Sequence, residues 1–251
     1  MSPSTHSTRI LAVTLCITSP IQRAVFVSAS LLLTLLALPQ GRADEPKTPS
    51  PSADQPAQLL DKVQTFYAGA SDFLADFKQT YTYHIYGRKK VSTGRVFFKK
   101  PSKMRWDYEA PIKRVFVADG STLWVYEPEE SQVFKRDLSS AQLPVALRFM
   151  KGEGKLSEDF IVTQVNPGAD EGYSVLHLKP RVPSPDFVSL QLTVNRESGA
   201  VSSSMLTDPT QNTNRIDFVD VKVNQSLPDA GFSFTPPAGV RVIDEATASP
   251  R

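Results

Sequence analysis

Apolar and polar positions alternate along much of this chain, with the period of two that is typical of β-strands. The clearest example is the segment 104–109, whose apolar members are Met104, Trp106 and Tyr108. The residues between them are charged. Because successive side chains of a strand point to opposite faces, one face of this strand is apolar and the other is charged. The apolar face has to be covered, either by a protein core or by an apolar ligand.

The same alternation recurs in about eleven short segments separated by tight turns. These segments are 73–83, 93–99, 104–109, 114–118, 123–126, 132–136, 160–165, 173–179, 188–195, 201–207 and 216–223. Two further apolar stretches, 232–234 and 240–243, close the domain. The regular alternation of strands and helices that marks a parallel sheet does not occur. We therefore predict a mainly β fold, a curved antiparallel sheet or barrel with a few helices packed against it.

Two segments have apolar residues at helical spacing instead. The first begins at Asp54, a favourable N-cap residue, and ends near Gly69. Its apolar positions are Leu59, Leu60, Val63 and Phe66. The second runs from about residue 141 to 150 and ends at Gly152, with apolar positions at Leu143, Val145, Leu147 and Phe149.

The first 43 residues have the parts of a secretory signal peptide. Arg9 and Arg23 precede an apolar run over 24–38, and the small residues Gly41 and Ala43 form a cleavage site. The apolar run is short for a membrane span, and a retained signal anchor is the alternative. After this leader we predict three parts, namely a flexible Pro- and Ser-rich spacer at 44–56, a folded domain at 57–244 and a frayed tail at 245–251.

Cysteine usage and charge narrow the range of functions. The single cysteine, Cys16, lies in the leader, so we predict a mature chain with neither disulfides nor a thiol nucleophile. The leader also holds three of the 28 basic residues, which leaves 25 basic against 26 acidic side chains. This nearly neutral balance argues against binding to nucleic acid or to anionic lipid through general electrostatic attraction.

Motifs for catalysis and for metal binding are missing from the sequence. His84 and His177 sit in strand-like segments, outside any paired or His-Glu-x-x-His pattern. Neither a nucleophile elbow nor a phosphate-binding loop occurs. We therefore predict a protein that is not an enzyme and uses no metal or cofactor. Its fourteen Phe and seven Tyr residues instead suit a barrel interior that holds an apolar ligand such as an acyl chain.

A series of short motifs, taken in order, resembles a known family, the periplasmic outer-membrane lipoprotein carrier proteins (LolA). The resemblance covers roughly residues 58–243. Its motifs are Phe77-Lys78-Gln79, Gly94, Lys99-Lys100-Pro101, the segment 104–108, Pro111, the segment 119–126, Gln132-Val133, and the terminal segments 232–236 and 239–243.

This resemblance implies both a fold and a function. The implied fold is an incomplete, unclosed antiparallel β-barrel with a lid of short helices over an apolar cavity. The implied function is that of a monomeric periplasmic carrier, which holds the acyl chains of lipoproteins. Such a carrier accepts lipoproteins from the inner-membrane ABC transporter LolCDE and delivers them to the outer-membrane receptor LolB or an equivalent.

The resemblance also assigns roles to single residues. It places eight residues in contact with acyl chains, namely Met104, Trp106, Tyr108, Phe116, Leu60, Val63, Val145 and Leu147. Lys100 stands where well-studied members carry an arginine that latches the lid, but a lysine lacks the planar fork of arginine. A solvated surface role for Lys100 is the alternative. If these roles hold, Trp106→Glu would fold but would not take up lipoprotein.

Two other functions stay open on the sequence alone. A module of the same fold that senses lipid or lipoprotein, or that binds glycolipid, usually carries a second domain or an anchor. An unrelated periplasmic enzyme on a β scaffold would need a clustered polar site, for which two histidines in strand-like segments and scattered carboxylates are poor material.

Overall fold

The computed structural model describes residues 55–138 and 155–244. This part contains helices α1 (Gln55–Gly69) and α2 (Leu156–Asp159) and a 3-10 turn, η1 (Asp229–Phe232). Its strands are β1 (Asp72–Tyr83), β2 (Arg88–Lys99), β3 (Lys103–Ala110), β4 (Arg114–Asp119), β5 (Thr122–Glu127), β6 (Gln132–Asp137), β7 (Phe160–Pro167), β8 (Tyr173–Pro180), β9 (Ser189–Asn195), β10 (Val201–Thr207), β11 (Thr213–Val223) and β12 (Arg241–Asp244). The predicted leader, the spacer up to residue 54, the second predicted helix and the tail lie outside the described residues.

The twelve strands form a single sheet in the order β12-β6-β5-β4-β3-β2-β1-β11-β10-β9-β8-β7. Neighbouring strands are antiparallel, apart from the parallel pair of β12 and β6. Strands β7 and β12 stand at the two ends of this order, and the described part of the sheet does not close between them. The prediction of a mainly β, unclosed barrel is therefore confirmed, with twelve strands where the pattern indicated about eleven.

The alternating apolar residues share one face of the sheet, here called the inner face, and form the core. In β1 these residues are Phe73, Ala75 and Phe77, each at most 3% exposed. The matching core positions of the other strands are Val96, Phe98, Met104, Trp106, Ala118, Leu176, Leu178, Leu190, Leu192, Val194, Val201, Ile216 and Phe218. The period of two in the sequence thus becomes a continuous apolar surface.

Helix α1 covers part of the inner face with its apolar side. Leu60, Val63 and Tyr67 are buried in the core, and the Tyr67 hydroxyl accepts a hydrogen bond from the Val201 amide at 3.3 Å. The helix also lies against the turn between β9 and β10, because a Cβ at Gly199 would come within 2.4 Å of the Lys62 carbonyl oxygen. Within the described residues, no helix is long and apolar enough to cross a membrane.

The other face of the sheet, here called the outer face, is partly covered by the segment 224–240, here called the C-terminal strap. The carboxylate of Asp72 accepts hydrogen bonds from the amides of Gln225 at 2.7 Å and Leu227 at 3.1 Å, at the start of the strap. Further along the strap, Phe232 is buried and Phe234 packs against Trp124, with ring centroids 5.8 Å apart. The predicted closing stretch 232–234 is thus the end of η1 and an irregular segment.

Strand β2 begins five residues earlier than the sequence pattern indicates, at Arg88. Its first residues pair with the last residues of β1, for example Lys90 with Tyr81 and Lys89 with Thr82. This end of the hairpin extends past the core, and its residues are exposed or only partly buried on both faces. Because both faces of this part of the hairpin contact solvent, the first residues of β2 lack the alternation that marks a half-buried strand.

Candidate functional site

Six of the eight predicted acyl-chain residues are among the described residues, and they lie on or against the inner face at two different depths. Leu60, Val63, Met104 and Trp106 are at most 5% exposed and belong to the packed core. Tyr108 and Phe116 are partly buried and line a cavity at the edge of that core. Val145 and Leu147, which were predicted on the second lid helix, lie outside the described residues.

An aromatic cluster joins the two depths. The ring of Phe77 contacts Trp106 at a centroid distance of 4.8 Å and Tyr108 at 4.9 Å. Tyr108 in turn lies 5.6 Å from Phe116. Rings from β1 and β3 meet over the intervening β2 because the residue between Phe77 and Tyr108 is Gly94, which has no side chain. The cluster thus forms a continuous apolar wall from the core to the cavity.

The cavity has a volume of about 290 Å³ and lies on the inner faces of β1 to β4. Its floor is aromatic, and its outer part carries exposed side chains of the β1–β2 hairpin and of the loop between β3 and β4. The lining residues are Gln79, Tyr81, Tyr83, Lys90, Ser92, Tyr108, Pro111, Ile112, Arg114 and Phe116. This mixture suits a ligand that is apolar at one end and polar at the other.

Polar side chains of this cavity form a network that the sequence analysis missed. The Tyr108 hydroxyl donates to the Gln79 side-chain oxygen at 3.0 Å, and the Gln79 amide nitrogen donates to Asn214 at 2.9 Å. Burial raises the pKa of Tyr108 to about 12, although the positive charge of Arg114 and the bond to Gln79 act in the opposite direction. The signal that could have revealed this network is Gln79 itself, a polar residue that continues the inner-face series of β1.

Arg114 extends the same network toward β5. Its Nη2 lies 2.6 Å from a carboxylate oxygen of Glu127, whose other oxygen accepts a hydrogen bond from Gln132 at 2.7 Å. The Arg114 Nε atom is buried and has no hydrogen-bond partner among the described residues. The charge of this arginine is therefore balanced, while one of its donors remains unused.

Lys100 contacts the end of helix α1. Its Nζ donates hydrogen bonds to the carbonyl oxygens of Tyr67 and Ala68, both at 2.8 Å. The last carbonyl groups of a helix lack partners within the helix and carry partial negative charge, which favours a cation there. The lysine is thus positioned where a latch between the sheet and α1 would act, although it makes contact with a single ammonium group.

The two histidines lie apart from the cavity. His177 makes a 3.1 Å hydrogen bond with Asn166, and His84 is exposed at the tip of the β1–β2 hairpin. In the described ranges, no group of three or more His, Cys, Asp or Glu side chains is arranged to hold a metal ion. The chemistry that the cavity residues offer is apolar contact and hydrogen bonding.

These features define the class of protein, an open β-barrel whose apolar inner face is partly covered by a helix. The family "Outer membrane lipoprotein carrier protein LolA" matches this chain over residues 68–235. The chain belongs to this family.

Individual relatives agree with that assignment. An outer-membrane lipoprotein carrier protein of Azotobacter vinelandii is 32% identical over 218 residues, which cover 86% of this chain and 97% of the relative. One of Pseudomonas paraeruginosa is 32% identical over 228 residues, with 89% and 98% covered. A solved structure of an uncharacterized conserved protein from Thermus thermophilus has a TM-score of 0.50 at 14% identity, covering 75% of this chain and 98% of that one, which is a likeness of fold alone.

Proposed function

We propose that this protein is a periplasmic carrier, which binds the acyl chains of lipoproteins released from the inner membrane and delivers them to the outer membrane. The observation that carries this proposal is the family match over residues 68–235, on a fold whose inner face is apolar and aromatic. The family consists of carriers, and the proposed role requires binding and release without a chemical reaction.

Acyl-chain binding on the inner face follows from the hydrophobic effect. Each methylene group removed from water contributes about 0.8 kcal/mol, so even a loosely shaped apolar surface binds a long chain usefully. The cavity of about 290 Å³ is at the lower end of the pockets that hold a drug-sized ligand. Several acyl chains exceed that volume, so uptake requires α1 to move and expose core residues such as Leu60, Val63 and Trp106.

Movement of α1 would also supply release. The helix is held by apolar packing and by a few hydrogen bonds at identifiable positions, including those from Lys100 and that between the Leu156 amide and the Gln64 side chain at 3.0 Å. A cover held in this way moves without unfolding of the sheet. The acyl chains and the apolar side of α1 would then compete for the same surface.

For the partners, we propose an inner-membrane ABC transporter of the LolCDE type and an outer-membrane receptor of the LolB type or an equivalent. The β1–β2 hairpin beside the cavity supports a docking role, because Ile85 and Tyr86 are 77% and 73% exposed. Large apolar residues exposed together at a hairpin tip are typical of an interaction surface. The partner would thus meet the carrier next to the entrance of the cavity.

The proposal is tested by transfer of a lipoprotein from spheroplasts to the purified mature protein. Phe116→Asp places a charge in the cavity wall, and we expect it to abolish uptake. Val219→Asp is the matched control, because Val219 is 51% exposed outside the core. Equal uptake by the two variants would contradict an acyl site at Phe116. Native mass spectrometry of the wild-type protein from its own periplasm completes the test, since a bound glycolipid in place of lipoprotein would favour a lipid-sensing module.

A further inference from the structure

Polar side chains in and beside the cavity form a belt across the inner face, with one member on each of five strands. In spatial order its members are Asn214 of β11, Gln79 of β1, Tyr108 of β3, Arg114 of β4 and Glu127 of β5. The first three are joined by hydrogen bonds of 2.9 and 3.0 Å, and the last two by an ion pair of 2.6 Å. This set of five residues is called the polar belt.

The polar belt lies between two apolar zones. On its inner side are Phe77 and Trp106, which contact each other at 4.8 Å in the packed core. On its outer side are Tyr81 and Tyr83, whose ring centroids are 4.7 Å apart near the end of β1. Along β1 the inner face is therefore aromatic at Phe77, polar at Gln79 and aromatic again at Tyr81 and Tyr83. A ligand that enters along this strand meets apolar surface both before and after the belt.

The hydrogen-bonding capacity of the belt is not fully used. The Nε–H of Arg114 is buried and has no acceptor among the described residues. The Tyr108 hydroxyl donates a hydrogen bond to Gln79, and the hydroxyl oxygen retains the capacity to accept another hydrogen bond. A buried donor without a partner is unfavourable by roughly 1–3 kcal/mol, so a turn of the Arg114 side chain that brings this N–H to an acceptor on a ligand in the cavity is favourable.

The charge of the belt selects the kind of acceptor. The guanidinium of Arg114 is paired with the carboxylate of Glu127, so an anionic ligand would meet no net positive charge at that position. Lys90, the other cation that lines the cavity, is exposed in the outer part of it. A neutral carbonyl oxygen matches the free Nε–H donor, and a neutral amide N–H matches the Tyr108 oxygen.

We propose that the polar belt binds the ester and amide linkages that join the acyl chains of a lipoprotein to its modified N-terminal cysteine. This inference rests on the proposed carrier function and deepens it. The acyl chains occupy the apolar surface beneath the belt, the linkage carbonyls accept from Arg114, and the polypeptide leaves past Tyr81 and Tyr83. The belt thereby fixes how deeply the lipid enters and distinguishes a lipoprotein from a simple hydrocarbon.

The test compares two synthetic probes on the mature wild-type protein. One is a lipopeptide whose cysteine carries an S-glyceryl group with two ester-linked palmitoyl chains and an amide-linked palmitoyl chain. The other keeps the amide-linked chain but attaches the two glyceryl chains through ether linkages, which are equally neutral and lack carbonyl oxygens. We expect the ester-linked probe to bind about five- to tenfold more tightly, as one to two buried hydrogen bonds allow.

A matched pair of double variants locates the effect. In Arg114→Met/Glu127→Gln the belt loses its donor without leaving a charge unpaired, and we expect both probes to bind with the weaker affinity of the ether probe. In Arg95→Met/Glu109→Gln the same exchange is made at an exposed ion pair of 3.4 Å outside the cavity, and we expect the wild-type preference to persist.

The possible results distinguish a failure of the linkage-binding proposal from a failure of the carrier function. If wild-type protein binds both probes equally tightly, the belt does not recognise the linkages, while the carrier function stands. If the belt variant retains the preference, Arg114 is not the group that recognises them, and the proposal is overturned. If wild-type protein binds neither probe, the carrier function fails together with the inference built on it. The comparison of probes on wild-type protein needs no variant to fold.

Discussion

Two neighbouring lysines at the end of β2 make contacts on opposite faces of the sheet. Lys100 donates to the last carbonyls of α1, while Lys99 lies 2.6 Å from a carboxylate oxygen of Asp229 in the C-terminal strap. The resemblance of this segment to the family predicted a latch at Lys100. The contact that Lys99 makes with the C-terminal strap was not predictable, because the strap follows more than a hundred residues later in the chain.

The depth at which a side chain lies within the core is another property of single residues that could not be predicted from the sequence. The alternation in β3 correctly predicted that Met104, Trp106 and Tyr108 share a face. It does not tell how deeply each of them is buried, since that depends on which parts of the chain pack over the sheet. The structure places Trp106 in the packed core and Tyr108 at the cavity. The same lack of tertiary information left the network of Gln79 and Asn214 unpredicted.

At this scale we expect Trp106→Glu to destabilise the protein as well as to prevent lipoprotein uptake. The ring is 4% exposed and packs against Phe77 and Phe98, so the variant leaves a cavity and buries a carboxyl group. The expected loss is about 3–5 kcal/mol in the free energy of unfolding, measured by denaturant titration. A loss below about 1 kcal/mol would instead agree with the sequence-based expectation of a folded, inactive variant.

At the scale of elements, α1 and the C-terminal strap cover opposite faces of one sheet. The amphipathic pattern of α1 predicted both its existence and its buried side, because helical periodicity is a local signal. The strap has no such signal. Its residues are fixed by scattered contacts, for example those of Phe232 and Phe234 with the outer face. Irregular segments of this kind are held by their tertiary partners, which a pattern of single residues does not reveal.

For α1, we expect Lys100→Met to loosen the C-terminal end of the helix. Methionine keeps an unbranched apolar side chain but removes both hydrogen bonds to the carbonyls of Tyr67 and Ala68. The expected loss is about 1–3 kcal/mol in the free energy of unfolding, with faster amide exchange confined to α1. Lys113→Met, at an exposed lysine in the loop before β4, is the control. Unchanged exchange in α1 would show that Lys100 is not a latch.

For the C-terminal strap, we expect a pH-dependent effect of Asp229→Asn. Hydrogen bonds from Lys99 and then Lys103 lower the pKa of Asp229 to about 2, below its value in an unfolded chain. Because the folded state favours the charged form, the contribution of Asp229 to stability is present at neutral pH. It is lost as the pH falls from about 4 to about 2.

The measurement is the difference in melting temperature between wild type and Asp229→Asn. This difference should be largest between about pH 5 and 7, should shrink as the pH falls toward 2, and should vanish only below that pKa. Asp170→Asn, at an exposed residue in the turn before β8, is expected to leave the melting temperature unchanged throughout. A difference for Asp229→Asn that is as large at about pH 2 as at neutral pH would mean that the carboxylate does not hold the strap.

At the scale of the whole molecule, pairing between strands is most extensive at the centre of the sheet and least extensive at its ends. Strand β1 has twelve residues and pairs along its length with both β2 and β11. Strand β12 has four residues and pairs with β6 alone. The order of the strands could be predicted only in part, since adjacent strands of a meander pair locally, whereas the pairing of β1 with β11 is set by the complete fold.

This gradient predicts the order of amide hydrogen exchange in the native protein. Exchange should be slowest in β1, β10 and β11, which are covered by strands on both sides and by the core. It should be faster in β7 and β12 at the two ends of the sheet. Mass spectrometry of exchanged peptides provides the measurement. Equal protection of β12 and β1 would contradict an open sheet and would indicate that its ends are paired in solution.

The central position of β1 has a further consequence, which concerns the timing of folding. Phe77 pairs with Phe218, so β1 lacks one of its two partners until nearly the whole chain has been made. Closing a loop of that length costs about 4 kcal/mol in chain entropy, which must be met before the contacts of the core are gained. An incomplete chain therefore has little to gain from folding early. The proposed periplasmic role would gain from that delay, because export through a secretion channel requires a chain that has not yet folded.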